Sequence, residues 1–161
     1  MAQTELSFNI AEMRLTGNID GTSFNAIAYS GGRGGSKTKG AVNPITVNNP
    51  FLTSLKENAK KSVAGGPLPM GEYTLQPHES RPNWIRLVPK NNISMHNRDG
   101  FAIHGRGPEG SQGCIVPLDF QIVQKIYKLV KERKVNKQSP VTITVYATGD
   151  LDYFQNLLHI A

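Results

Sequence analysis

Cys114, the only cysteine of the chain, stands ten positions after His104 in the run Ile103-His104-Gly105-Arg106-Gly107-Pro108-Glu109-Gly110-Ser111-Gln112-Gly113-Cys114-Ile115. A thiol is a weak nucleophile until its proton is removed, and a neighbouring imidazole is the usual agent of that removal. The link between the two is long enough to close a loop that brings them together. The chemistry such a pair supports is acyl transfer, with Cys114 attacking and His104 serving as base. Gly113 permits close backbone approach beside the sulfur, where main-chain amides can converge on the oxyanion of a tetrahedral intermediate. On residue types alone an inert reading stays open: a small core thiol, and a strand-end histidine held by hydrogen bonds. Gly105, Gly107, Gly110 and Gly113 favour the chemical reading. They cost conformational entropy and make sense where a backbone folds tightly round a site.

The remaining candidates are weaker. His96 lies in Ser94-Met95-His96-Asn97-Arg98-Asp99, where it borders a pocket or is simply a turn histidine; His78 and His159 have no motif context. The spacing of His96, His104 and Cys114 matches no common zinc pattern and lacks a fourth ligand, so neither a metal nor another cofactor is expected. With one cysteine, no internal disulfide can form.

The elements that must position this pair read as short strands. Leu6-Ser7-Phe8-Asn9-Ile10 and Met13-Arg14-Leu15-Thr16 alternate, with a turn expected at Gly17-Asn18 and a third strand over Phe24 to Tyr29. Ser30 to Ser36 is too glycine-rich for regular structure and reads as a flexible substrate-side loop; no Gly-Lys-Ser/Thr ending makes it a phosphate cradle. Gly65-Gly66-Pro67-Leu68-Pro69-Met70-Gly71-Glu72-Tyr73-Thr74-Leu75 reads as a rigid turn feeding a strand. Trp84 to Val88 and Phe101 to His104 are further strands, the latter ending on His104. The spacing of Ile122, Val123, Ile126, Tyr127, Leu129 and Val130 predicts an amphipathic helix from Asp119 to about Lys134, with Asp119 as N-cap and basic residues at its end. Val141 to Val145 alternates strictly after Pro140, and a short helix is expected from Asp150. The class expected is β-rich α+β, in one domain over residues 1–161.

Composition bounds the partners. The 38% hydrophobic and 19% charged residues are compatible with a folded globular protein rather than a disordered one, and 16 Gly with 10 Pro favour a turn-rich, strand-rich fold over a bundle. The net charge of +6 suggests an anionic partner, nucleic acid, lipid or acidic wall polymer. Lys125, Lys128, Lys131, Arg133, Lys134 and Lys137 crowd one segment, either a polyanion-docking patch or a solvated helix face. No basic-then-apolar leader opens the sequence and no long apolar run appears, so neither a cleavable signal nor a membrane span is expected.

The Ser111-Gln112-Gly113-Cys114-Ile115 element preceded by His104-Gly105 resembles the signature of the L,D-transpeptidase catalytic domain. Gly66-Pro67-Leu68-Pro69-Met70-Gly71-Glu72-Tyr73 is similar to the Pro-x-Gly-x-Tyr/Phe turn of the same family, so the likeness covers about residues 65–118. It implies an L,D-transpeptidase-like mixed β-sandwich with one amphipathic helix after the catalytic cysteine. It also implies attack by Cys114, a His104 ring oriented by the Gly105 carbonyl, and an acyl-thioester on a peptidoglycan stem tetrapeptide. L,D-carboxypeptidation, transpeptidation or D-amino-acid exchange would follow. Gln112 stands where the family has His, Val116 where it has Arg or Asn, and the His-to-Cys spacing is shorter than in housekeeping members. Arg106 is then a candidate carboxylate clamp replacing the missing Arg, or a surface residue. Ser111 either hydrogen-bonds near the site or stabilises its turn, and Gln112 and Gly113 complete the candidate substrate contacts.

The small size and the Ser-Gln-Gly-Cys variant look most like the type VI secretion members of this superfamily, antibacterial toxins made in the cytoplasm and acting in a competitor's periplasm. That likeness implies a cognate immunity protein and a secretion-system component as partners. The alternatives are a Cys/His peptidoglycan amidase or endopeptidase, which usually places Cys before His, and a basic nucleic-acid-binding module. The second lacks aromatic interleaving among its lysines and any recognised nucleic-acid motif.

Overall fold

Alternating apolar and polar residues build most of the strands, and the buried half of each alternation meets in one core. The structure, a computed structural model, describes residues 5–31, 47–54, 65–90, 93–96, 98, 100–105 and 113–160, without the side chains of 159 and 160. Three strands open the chain as an antiparallel meander: β1 (Leu6–Asn9), β2 (Arg14–Ile19) and β3 (Thr22–Ser30). The turn expected at Gly17-Asn18 lies instead at Asp20-Gly21, and β2 runs straight through Gly17. Both turn residues have positive φ, 49° and 90°, which suits a two-residue hairpin, and the Asn18 side chain accepts the Gly21 N–H at 2.9 Å. Gly17 serves a different purpose: a Cβ there would overlap the Glu5 carbonyl of the neighbouring strand.

β4 (Gly71–Pro77) and β5 (Ile85–Pro89) form the next hairpin, followed by the short strands β6 (Ala102–Ile103) and β7 (Ile115–Pro117). Helix α1 (Phe120–Val135) precedes β8 (Thr142–Tyr146) and a closing helix α2 (Leu151–Ile160). The ladders close in the order β1-β2-β3-β7-β6-β5-β4-β8, a barrel whose pairings are antiparallel except β1 with β8 and β6 with β7. The β-rich α+β class is therefore the one observed. The ladder order describes a closed barrel and does not by itself delineate the two facing sheets of a sandwich.

Leu6, Phe8, Leu15, Tyr73, Leu75, Ile85, Ile103, Ile115 and Ile143 are fully buried or nearly so. Each such side chain contributes roughly 1.5–3 kcal/mol relative to exposure. α1 buries Val123, Ile126 and Val130 and packs on β4, β5 and β7, as its sequence period requires. Asp119 caps it by accepting the Gln121 N–H at 2.9 Å. Near its end Arg133 bridges Glu5 and Asp20, tying the helix to the first meander. Among the described residues, no helix is long and apolar enough to cross a membrane.

Candidate active site

The parallel pairing of β6 with β7 sets the geometry. Ile103 and Ile115 are register partners and both are fully buried. The His104 N–H extends the ladder to the Ile115 carbonyl at 3.2 Å. His104 follows β6 and Cys114 precedes β7, each one step from this pair. The ladder spacing and rise put their backbones about 8 Å apart on the diagonal, within the combined reach of an imidazole and a thiol.

His104 is held on two sides. Its Nδ1 lies 2.7 Å from the Gly105 carbonyl oxygen, the contact that the family resemblance implies. A carbonyl only accepts, so Nδ1 carries the proton and Nε2 is the nitrogen that can take one from elsewhere. The Trp84 indole stacks on the ring with centroids 4.1 Å apart and planes 10° from parallel. This follows from the register: Ile85 pairs with Ile103, so their neighbours Trp84 and His104 emerge side by side. Trp84 also carries the Arg81 guanidinium 4.6 Å from its ring. A cavity of about 310 Å³ opens here, lined by Pro82, Asn83, Trp84, Gly105, Leu118 and Phe120.

Cys114 is partly exposed and free of any disulfide. The Ala102 N–H donates to its Sγ at 3.3 Å. Against Gly113, the residue before it, lies Arg98, only 5% exposed, whose guanidinium donates to the Pro67 and Gly66 carbonyls at 2.8 Å each and to that of Thr53. Burial holds the Arg98 guanidinium below its ordinary value, while Tyr73 and Cys114 pull the other way by favouring its charged form. Burial also pushes Tyr73 up, and its hydroxyl donates to the Pro69 carbonyl at 2.6 Å.

Gly113, the residue before Cys114, is pinned from several sides. Its carbonyl accepts from the Ser30 hydroxyl at 3.0 Å, which in turn accepts the Leu68 N–H at 2.9 Å. Its φ of +128° lies where side chains are strained, and a Cβ would stand 2.5 Å from the Phe101 ring and 2.6 Å from Arg98 Nη2. Only glycine lets the guanidinium come this close.

Of the residues expected from the sequence, His104, Gly105, Gly113 and Cys114 gather here. Arg106, Ser111 and Gln112 lie outside the described residues, as does most of the glycine-rich Ser30 to Ser36 run. His96 is exposed at φ +53°, its Nδ1 3.5 Å from Ser94 Oγ. His78 Nδ1 accepts the Ser80 and Arg81 N–H groups, a turn-stabilising role. Sequence reasoning passed over Trp84 and Arg98. The Gly66-Pro67 run that it singled out supplies carbonyls to Arg98. No protein-family model matches the chain, and no curated protein matches it significantly.

Proposed function

We propose that the chain is a cysteine acyltransferase of L,D-transpeptidase type acting on peptidoglycan stem tetrapeptides. The observation that carries this reading is the β6–β7 register, which sets an oriented imidazole and a thiol that accepts an N–H one step from the shared Ile103–Ile115 pair. His104 Nε2 takes the Cys114 proton, and the sulfur attacks the carbonyl carbon of the L-configured centre preceding the terminal D-alanine. The oxyanion collapses, the C–N bond breaks, and the departing amine takes the proton from the imidazolium. A thioester remains on Cys114. Attack by an amine gives transpeptidation or D-amino-acid exchange; attack by water gives carboxypeptidation. On the same resemblance the biological role is that of a type VI secretion effector acting in the periplasm of target bacteria, with an immunity protein as its inhibitor.

Mass spectrometry of tetrapeptide muropeptides incubated with the protein, with and without a free D-amino acid, tests the reaction. Loss or exchange of terminal D-alanine is expected, and Cys114→Ala and His104→Ala each abolish it. A cut inside the stem or at the sugar-peptide amide would make the enzyme an endopeptidase or amidase instead. Full turnover by Cys114→Ala would remove the enzyme altogether.

A further inference from the structure

A second groove, of about 430 Å³, runs along α1 and is lined by Asn83, Gln124, Tyr127, Lys128, Lys131, Glu132, Val135 and Asn136. The proposed reaction does not use it. Two features set it apart from an ordinary lysine-rich helix face. First, it lies next to the cavity beside His104: Asn83 lines both this groove and the cavity bordered by Trp84 and Gly105. Asn83 holds φ +61° in the turn leading into Trp84, so the same turn shapes both recesses. Second, its chemistry is mixed. Lys128 and Lys131 supply ammonium groups, with Lys131 Nζ 5.9 Å from the Tyr127 ring centroid. Glu132 supplies a carboxylate, and Asn83, Gln124 and Asn136 supply amides that both donate and accept.

A nucleic-acid backbone presents anions alone, and Glu132 would repel it. A peptide carrying carboxylates, amides and a free amine matches all three sets of groups at once. Wall peptide stems are such peptides. We infer that the α1 groove binds a second peptide stem of the same polymer, next to the one that reacts, through its carboxylates on Lys128 and Lys131. This inference rests on the proposed wall substrate. It adds a polymer-recognition subsite and says nothing of the bond that is cut.

Co-sedimentation of the Cys114→Ala protein with purified intact sacculi tests it at low salt. Reversing both groove lysines (Lys128→Glu with Lys131→Glu) is expected to weaken binding about tenfold. The same charge change made off the groove (Lys134→Glu with Lys137→Glu) should weaken it no more than about twofold. Sacculi whose carboxylates have been amidated should lose binding to the same extent as the groove variant suffers. Equal losses from both pairs of reversals, undiminished binding to amidated sacculi, or no binding to sacculi would each overturn the subsite. So would tighter binding to duplex DNA with the same dependence on Lys128 and Lys131. Turnover of soluble tetrapeptides by the unmodified protein reports separately on the reaction, so failure there leaves the sedimentation result standing on its own.

Discussion

Trp84 and His104 lie flat against one another, 4.1 Å between ring centroids, because they are neighbours of the register pair Ile85 and Ile103 on adjoining strands. The indole fixes the tilt of the imidazole, while Gly105 fixes which nitrogen faces outward. Trp84→Ala should therefore lower turnover of tetrapeptide muropeptides by roughly 10–100-fold through misaimed proton transfer. Trp84→Phe should recover most of it. Equal rates for Trp84→Ala and the wild type would show that the stack does not aim the base.

Arg98 is buried against Gly113, the residue before Cys114. Arg98→Gln removes a buried cation beside Cys114 and leaves the Gly66, Pro67 and Thr53 carbonyls short of donors. Iodoacetamide alkylation of Cys114 at neutral pH should slow several-fold, and stability should fall by about 2–4 kcal/mol in denaturant unfolding. Arg98→Lys should retain more of the alkylation rate than of the stability, since it keeps the charge and loses the fork. A rate unchanged in both variants would separate the guanidinium from the sulfur.

Gly113→Ala puts a methyl group against Phe101 and Arg98 at a backbone angle that side chains avoid. A loss of about 2–4 kcal/mol is expected from the strain and the displaced guanidinium together. The alkylation rate of Cys114 should drop with it, because the sulfur is carried on the next residue.

The ion cluster at Arg133 gives a pH test away from the site. The hydrogen bond from Arg133 is the main influence holding the Asp20 carboxyl below its ordinary value of 3.8. Because the folded value is depressed, the stabilisation is complete above the ordinary value and is lost as pH falls through the depressed one. Arg133→Met should lower the melting temperature at pH 7, and the gap to wild type should narrow as pH drops below 3.8. A gap independent of pH would assign the effect to packing of the Arg133 stem.

The parts of this fold that were legible in the sequence are those set by neighbours along the chain. Val123, Ile126 and Val130 recur at helical spacing and α1 forms within a residue of the expected bounds; Val141 to Val145 alternates, and the strand forms one residue later, over Thr142–Tyr146. Gly17-Asn18 misled because a glycine suits both a turn and a close approach of strands, and only the Glu5 carbonyl across the ladder decides between them. Cys114 and His104 were visible by residue type and spacing. Trp84 and Arg98 were not: the first reaches His104 through a cross-strand register, and the second binds carbonyls 31, 32 and 45 positions away. Closure of the barrel was hidden for the same reason, since it depends on pairings no local pattern encodes.

The contact that seals the ring joins β1 to β8, and Glu5 meets Thr142 across 137 positions of chain. During synthesis the first strand must wait, with one edge unpaired, until β8 has left the ribosome. Loop closure over such a span is slow, so completion of the barrel is expected to be the last and slowest event of folding. The interval before it is when an exposed strand edge is most open to pairing with another chain.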